Sequence, residues 1–289
     1  VPTADPERWW GVRERTRSER PIANPDLPVP LSGSALTTIV DCPLRWFLQR
    51  RAGGETPSTS AIGFGMVLHT LADAVATGTL PPDTDELNGW LDKVWTQLEF
   101  DSTWISDRER VEAEEALRRF VAWHKGRPDR KLLGTEVEFD VLLPDTDKPA
   151  VRVKGRMDRL EQDGDGAIRV IDLKTGRTVP TKPALERHVQ LAIYQRAIES
   201  RQMKELGDAP RSGGAELVQL RHDDSGLPKV QGQAPLEADE EGRTWLDEAV
   251  EDAEAMVRSE EFVAKRNAGC DRCDVRGLCP IQPEGREIV

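Results

Sequence analysis

The sequence predicts a mixed α/β fold: a central mixed sheet flanked by helices, with a helical part before it and a cysteine-bearing segment after it. Three observations carry this. Apolar residues recur at helical spacing through much of 32–125. The spacing then switches to alternation in TEVEFDVLL and VRVKGRMDRL, where successive side chains fall on opposite faces. Three of the four cysteines, Cys270, Cys273 and Cys279, cluster near the C-terminus.

Residues 1–31 hold six prolines, a Trp9-Trp10 pair and no periodicity, and read as an extended arm or linker with the Trp pair packed on a domain surface. The remainder, 32–289, reads as one domain with a helical part (32–130), a core (131–222) and a C-terminal helix with the cysteine cluster (236–289). Ser32 or Ser34 caps a first helix carrying Leu36, Ile39 and Val40, and Pro43 suits the first turn of a second. A helix over 62–77 puts Leu68, Leu71 and Val75 on one stripe and Gly65, His69 and Asp73 on the next. Helices over 86–100 and 107–125 follow. Strands are expected over 135–143, 151–160 and 167–173, then a helix over 183–203, a strand over 214–221 and an amphipathic helix from Trp245 to Val257.

Of the 289 residues, 37% are hydrophobic and 32% charged, which fits a globular chain with a sizeable core. No run of eighteen apolar residues occurs, so no membrane span is expected. The chain opens at Val1 without a cationic–apolar leader, which points to a reducing, cytoplasmic setting and to a segment of something longer. A net charge of −12 weighs against an independent nucleic-acid binder, but the charge is uneven. Residues 152–187 carry nine Lys/Arg and six Asp/Glu, a local +3, while 237–261 carry eleven acids against Arg243 and Arg258.

The alternation places Asp158 at the end of one strand and Asp172 at the end of the next, about 5 Å apart if the strands pair. Two carboxylates that close need a neutralising cation, and an oxygen-preferring divalent metal supplies one. Such an ion would activate water and stabilise charge on a phosphate. Lys174, two residues beyond Asp172, returns to the same face and can meet that phosphate. The ordinary alternative is a set of surface ion pairs, Asp158 with Arg156 or Arg159 and Asp172 with Lys174 or Arg177.

GFGMVLHTL, GRMDRL, VIDLKTG and QLAIYQ, in that order over residues 63–195, resemble the successive motifs of RecB-type nucleases of the PD-(D/E)xK superfamily. The likeness covers 32–282. It implies a restriction-endonuclease-like fold, with His69, Asp158, Asp172 and the carbonyl of Leu173 holding Mg²⁺ or Mn²⁺. An imidazole ligand is unusual for Mg²⁺ and suits Mn²⁺ better. It also implies Lys174 as the catalytic lysine, and Gln190 and Tyr194, four apart on one helix face, as supports of the site and the DNA. Glu136 corresponds to a further acidic position of the superfamily, with Glu138 as its competitor. His124, His188 and His222 have no such context.

The cysteines form C-x₂-C-x₅-C, with Cys42 more than 220 residues upstream. Four thiols in this arrangement suggest one shared tetrathiolate site. Disulfides are disfavoured in a reducing compartment, and structural zinc usually takes two short Cys pairs. An iron–sulfur cluster accepts scattered thiolates. RecB-like families that include AddB and AdnB carry one upstream and three C-terminal cysteines, and the resemblance implies a structural [4Fe–4S] cluster here. The arm resembles the linker before this domain in actinobacterial AdnB. That implies a nuclease attached to a helicase motor in a longer chain, partnered with a second helicase–nuclease subunit, cleaving single-stranded DNA during double-strand-break resection. No G-x-x-x-x-G-K-[ST] loop occurs, so this chain does not bind ATP in that way. The rival readings are an inactive DNA-binding or scaffold module and a zinc-stabilised interaction domain.

Overall fold

The sheet begins earlier than the sequence suggests. In the computed structural model, which describes residues 19–54, 60–98, 100–144, 150–200, 202, 203, 206, 207 and 210–286, β1 spans Val29–Ser32. It falls mostly within the segment read as arm. Residues 22–27 are also tied down: Ile22 N donates to Glu260 Oε1 (2.8 Å), and Arg258 donates to the carbonyls of Asn24, Pro25 and Leu27. The Trp9-Trp10 pair lies outside the described residues.

Ser32 caps α1 (Gly33–Asp41) by accepting from Ala35 N, and Pro43 opens α2 (Pro43–Arg50), both as expected. Then follow α3 (Ser60–Ala76), α4 (Thr84–Trp95) and α5 (Thr103–Lys125). β2 (Lys131–Leu143), β3 (Val151–Gln162) and β4 (Ile168–Lys174) follow. The single helix expected over 183–203 is two, α6 (Lys182–Glu186) and α7 (Val189–Glu199), because His188 takes an extended backbone and caps the second. β5 (Ser212–Asp224) pairs with a further strand, β6 (Leu227–Gln233), before α8 (Trp245–Ser259) and the short α9 (Pro283–Arg286).

The sheet is mixed, in the order β1-β3-β4-β5-β6, with β2 on the other side of β3. β1 runs parallel to β3 at Val151–Lys154, and β4 antiparallel to it at Arg159–Gln162. Both halves of β3 also pair with β2. β1 and β4 therefore lie end to end along one edge of β3 and leave a gap beside residues 155–158. That gap opens the functional cleft.

Period-two alternation sends the two faces of β4 into different cores. Ile168 and Val170 join Leu36, Ile39 and Trp46 of α1 and α2, Leu191 and Ala192 of α7, and Val250 and Val257 of α8. Ile171 and Leu173 join Phe64, Leu68, Leu91, Leu117 and Phe120 of α3, α4 and α5. Burial on both faces fixes the register, since a one-residue slip would exchange the cores.

Gly155 sits opposite Phe139, and an added Cβ would lie 2.7 Å from the Phe139 ring. Phe139 in turn meets Tyr194 edge-on at 5.8 Å. Gly155→Ala is expected to cost about 1–3 kcal/mol in overpacking, read from the urea-unfolding midpoint.

The C-terminal tail returns to the first helices. Phe262 stacks on Phe47 at 4.8 Å and tilts against Trp46. Lys265 Nζ donates to Val40 O, and Asn267 Nδ2 to Asp41 O. No helix among the described residues is long and apolar enough to cross a membrane.

Candidate active site

Five elements line one open cleft: α3 with Gly65, His69 and Asp73; β2 with Glu136; β3 with Arg156 and Asp158; β4 and its exit with Asp172, Leu173, Lys174 and Thr175; and α7 with Gln190 and Tyr194. All seven residues expected at the active site are thus brought together. Gly65, His69 and Asp73, spaced by four along α3, present one stripe to it.

Asp158 does not end its strand. It lies inside β3, one step beyond the last pair with β4, Arg159 with Ile171. From that point the strands splay, and the Asp158 side chain bridges the opening. Its Oδ2 accepts from Leu173 N at 2.7 Å, and its Oδ1 lies 3.5 Å from His69 Nδ1. It pairs with neither neighbouring arginine. Arg159 is buried on the other face against Glu161 at 2.7 Å, and Arg156 reaches Glu136 at 2.6 Å.

Asp172 is 2% exposed. Burial, with the Asp158 charge, raises its pKa to about 6, against the opposing pull of Lys174. Lys174 Nζ lies 2.7 Å from Asp172 Oδ2, the one ion pair of the ordinary alternative that forms. A buried carboxylate draws the nearest cation, and period two puts Lys174 on its face. The ammonium thus pairs with the buried Oδ2, although the contact departs from hydrogen-bond geometry. Lys174 Nζ also donates to Gln190 Oε1 at 3.1 Å, and Gln190 Nε2 donates to the Tyr194 hydroxyl at 2.7 Å. Burial and the two aspartates push the Tyr194 pKa far up, so it stays a neutral phenol. Leu173 buries its side chain in the core and has only its backbone to offer the cleft.

Glu136 belongs to the cleft, whereas Glu138 is exposed and outside it. Glu136 holds φ at +50°, a left-handed conformation that costs a non-glycine residue about 1–2 kcal/mol. Burial raises its pKa although Arg156 pulls the other way. One ligand atom each from His69, Glu136 and Asp158 lie within 4.8 Å of one another. Burial opposes protonation of His69, yet Asp158, Asp172 and Glu136 together raise its pKa. One imidazole and three carboxylates, one of them buried, make a donor set that fits a divalent cation.

Sequence reasoning passed over Arg156, Asp73 and Thr175 as site residues. Asp73 shares the α3 stripe with His69 and accepts from Thr135 Oγ1. Gly65 passes so close to Thr175 that a Cβ there would lie 3.1 Å from its Oγ1. Arg221 fixes the same turn by donating to Thr175 O at 2.6 Å.

His188, without a role in the sequence, caps α7 by accepting from Leu191 N. Burial, and then the Lys174 charge, depress its pKa to about 4. The folded state therefore resists protonating it, and stability present above pH 6.5 is lost as pH falls toward 4. The slope approaches, at most, about 1.4 kcal/mol per pH unit. The raised pKa of Asp172 acts in the opposite direction over part of this window, so the difference between parent and variant is diagnostic. His188→Asn keeps a capping acceptor, and its urea midpoint is expected to fall less than the parent's between pH 6.5 and 4.5.

The sequence matches the family described as the PD-(D/E)XK nuclease superfamily over residues 30–280. The chain belongs to that superfamily. Its D-x-K pair is Asp172 and Lys174, at the end of β4, and the central mixed sheet flanked by helices agrees with the nuclease fold. The chain is 26% identical over 215 residues to a subunit of the ATP-dependent helicase/deoxyribonuclease of Streptococcus mutans. That alignment takes in 71% of this chain but only 19% of the relative. The solved crystal structure of SSO0001 aligns over 93% of this nuclease chain and 89% of its own, at 15% identity and a TM-score of 0.41, a loose likeness.

Away from the cleft, Cys42, Cys270, Cys273 and Cys279 line one small cavity with Leu44, Val275 and Lys265. No disulfide links them. Backbone N–H groups of Lys265 and Asn267 point at the sulfurs of Cys42 and Cys270, at 3.5 and 3.3 Å. Four thiols with N–H donors on sulfur are the donor chemistry of a thiolate-held cluster.

Proposed function

We propose that this nuclease domain is a Mg²⁺- or Mn²⁺-dependent deoxyribonuclease that cuts single-stranded DNA. The observation that carries the reading is the gathering, in one cleft, of an acidic cluster (His69, Glu136, Asp158, Asp172) with the chain Lys174–Gln190–Tyr194, which starts against Asp172. A divalent cation on the acidic cluster supplies the charge that activates water and stabilises the pentavalent phosphate.

The chain's own residues do the rest. Asp158 holds the splayed strands at fixed separation through Leu173 N. Asp172 would offer its carboxylate to that ion, and His69 and the Leu173 backbone carbonyl would complete the ligand set. Gln190 accepts from the Lys174 ammonium and steers it, while the neutral Tyr194 orients the Gln190 amide. Lys174 donates toward a phosphate oxygen where negative charge grows. Water adds to phosphorus, and the P–O bond to one sugar oxygen breaks.

The likeness to a helicase/deoxyribonuclease subunit supports a place in a longer helicase–nuclease chain with a second such subunit, resecting double-strand breaks in the cytoplasm. A −12 chain lacks the large basic footprint of an independent binder, so an attached motor would deliver the strand. The four-cysteine cavity supports a [4Fe–4S] cluster that fastens the tail. End-labelled single- and double-stranded DNA, incubated with Mg²⁺, Mn²⁺ or EDTA, tests the reading. Salt-sensitive cleavage of the single strand with metal is expected. Binding without cleavage in every metal would instead favour a DNA-binding scaffold.

A further inference from the structure

Among the described residues, Arg156 and Lys174 are the only Arg or Lys lining the cleft, against four carboxylates. Lys174 contacts Asp172 and Gln190 and serves, in the nuclease reading, the phosphate that is cut. Arg156 makes one ion pair among the described residues, Nε to Glu136 Oε2 at 2.6 Å, and its side chain is 60% exposed. With more than half of its side chain exposed, the guanidinium has donors to offer an oxyanion from the cleft as well as Glu136.

Position adds to this. Arg156 and Asp158 are two residues apart on one face of β3, about 6.6 Å along the strand. That is close to the step between neighbouring phosphates in an extended polynucleotide. Farther along β3, Arg152 and Lys154 share one carboxylate, Asp140, at 2.6 and 2.8 Å, and lie outside the cleft. Glu136, by contrast, is an uneven partner for Arg156: it also lies within reach of His69 and Asp158, in a strained backbone conformation.

We propose that Arg156 is a DNA-strand contact of the cleft, its guanidinium holding the phosphate next to the one that is cut, with Glu136 competing for it when no strand is bound. The proposal rests on the nuclease reading. A phosphate ligand here fixes the strand's register against Asp158 and Asp172 while carrying no base preference.

The test is binding of a fluorescein-labelled oligothymidylate, followed by anisotropy in EDTA over a series of salt concentrations. Removing one phosphate contact lowers the slope of log K against log salt by about 0.7. Arg156→Gln is expected to show that loss, and Arg156→Lys to retain most of the parent slope. Glu136→Gln, which removes the competitor, is expected to bind more tightly than the parent. Identical slopes for parent and Arg156→Gln overturn the proposal, as does weaker binding by Glu136→Gln. Failure of the parent to bind also overturns it. Metal-dependent cleavage by the parent, measured alongside, decides whether the nuclease reading survives that outcome.

Discussion

Replacing Asp172 by Asn is expected to lower metal-dependent cleavage of single-stranded DNA by at least about 10³-fold while leaving the domain folded. Asn is nearly isosteric with Asp, so no cavity opens in a position that is 2% exposed. What changes is charge. The ionised carboxylate is destabilised by burial, which is why its pKa stands near 6 rather than 3.8. Above pH 6 the neutral amide avoids that desolvation, and the variant is expected to be no less stable than the parent in urea at pH 7.5. The cost falls on function, because an amide cannot balance a divalent cation and leaves Lys174 without its anion. Cleavage at the parent rate would remove Asp172 from the active site. Unfolding would show that its carboxylate is structural.

The second large effect is expected at Cys42. Cys42→Ala should yield colourless protein with iron lost and a stability deficit of about 5 kcal/mol, if the chain-entropy logic of a long crosslink carries over. The contacts that already bind the tail, Phe262 on Phe47 and Asn267 Nδ2 on Asp41 O, span the same distance in sequence but are individually weak. A group held by all four thiols would close them into one loop. Asp172→Asn, in the other site, should keep its visible absorbance unchanged. Retained iron and an unshifted midpoint in Cys42→Ala would sink the cluster as a fastening. Stoichiometric zinc would replace the cluster by a single tetrathiolate ion.

Much of this arrangement was legible because its signals are local. Alternation marked β2 and β3, an apolar run marked β4, the spacing of four on α3 brought out Gly65, His69 and Asp73, and D-x-K fell at a strand end. What escaped depends on long-range pairing. β1 is four residues with a proline, and only its parallel match to Val151–Lys154 makes it a strand. β6, LPKVQGQ, is polar and holds a proline, as an edge strand tolerates. Asp158 looked terminal because two-residue periodicity cannot show where β4 stops pairing. The left-handed turn at Glu136 and its bond to Arg156 leave no mark in the alternation. Lys174 facing Asp172 follows from burial, which sequence spacing does not report.

The fastening of the tail onto the first helices also has a consequence for the order in which the protein is made. Cys42 emerges from the ribosome early and Cys270 comes 228 residues later (270 − 42). At about 5–20 residues per second that is roughly 10–50 s during which the first thiol waits without its partners. Every cleft residue from Gly65 to Tyr194 is synthesised within the interval. The cutting centre is thus complete in sequence before the tail that packs on the first helices exists.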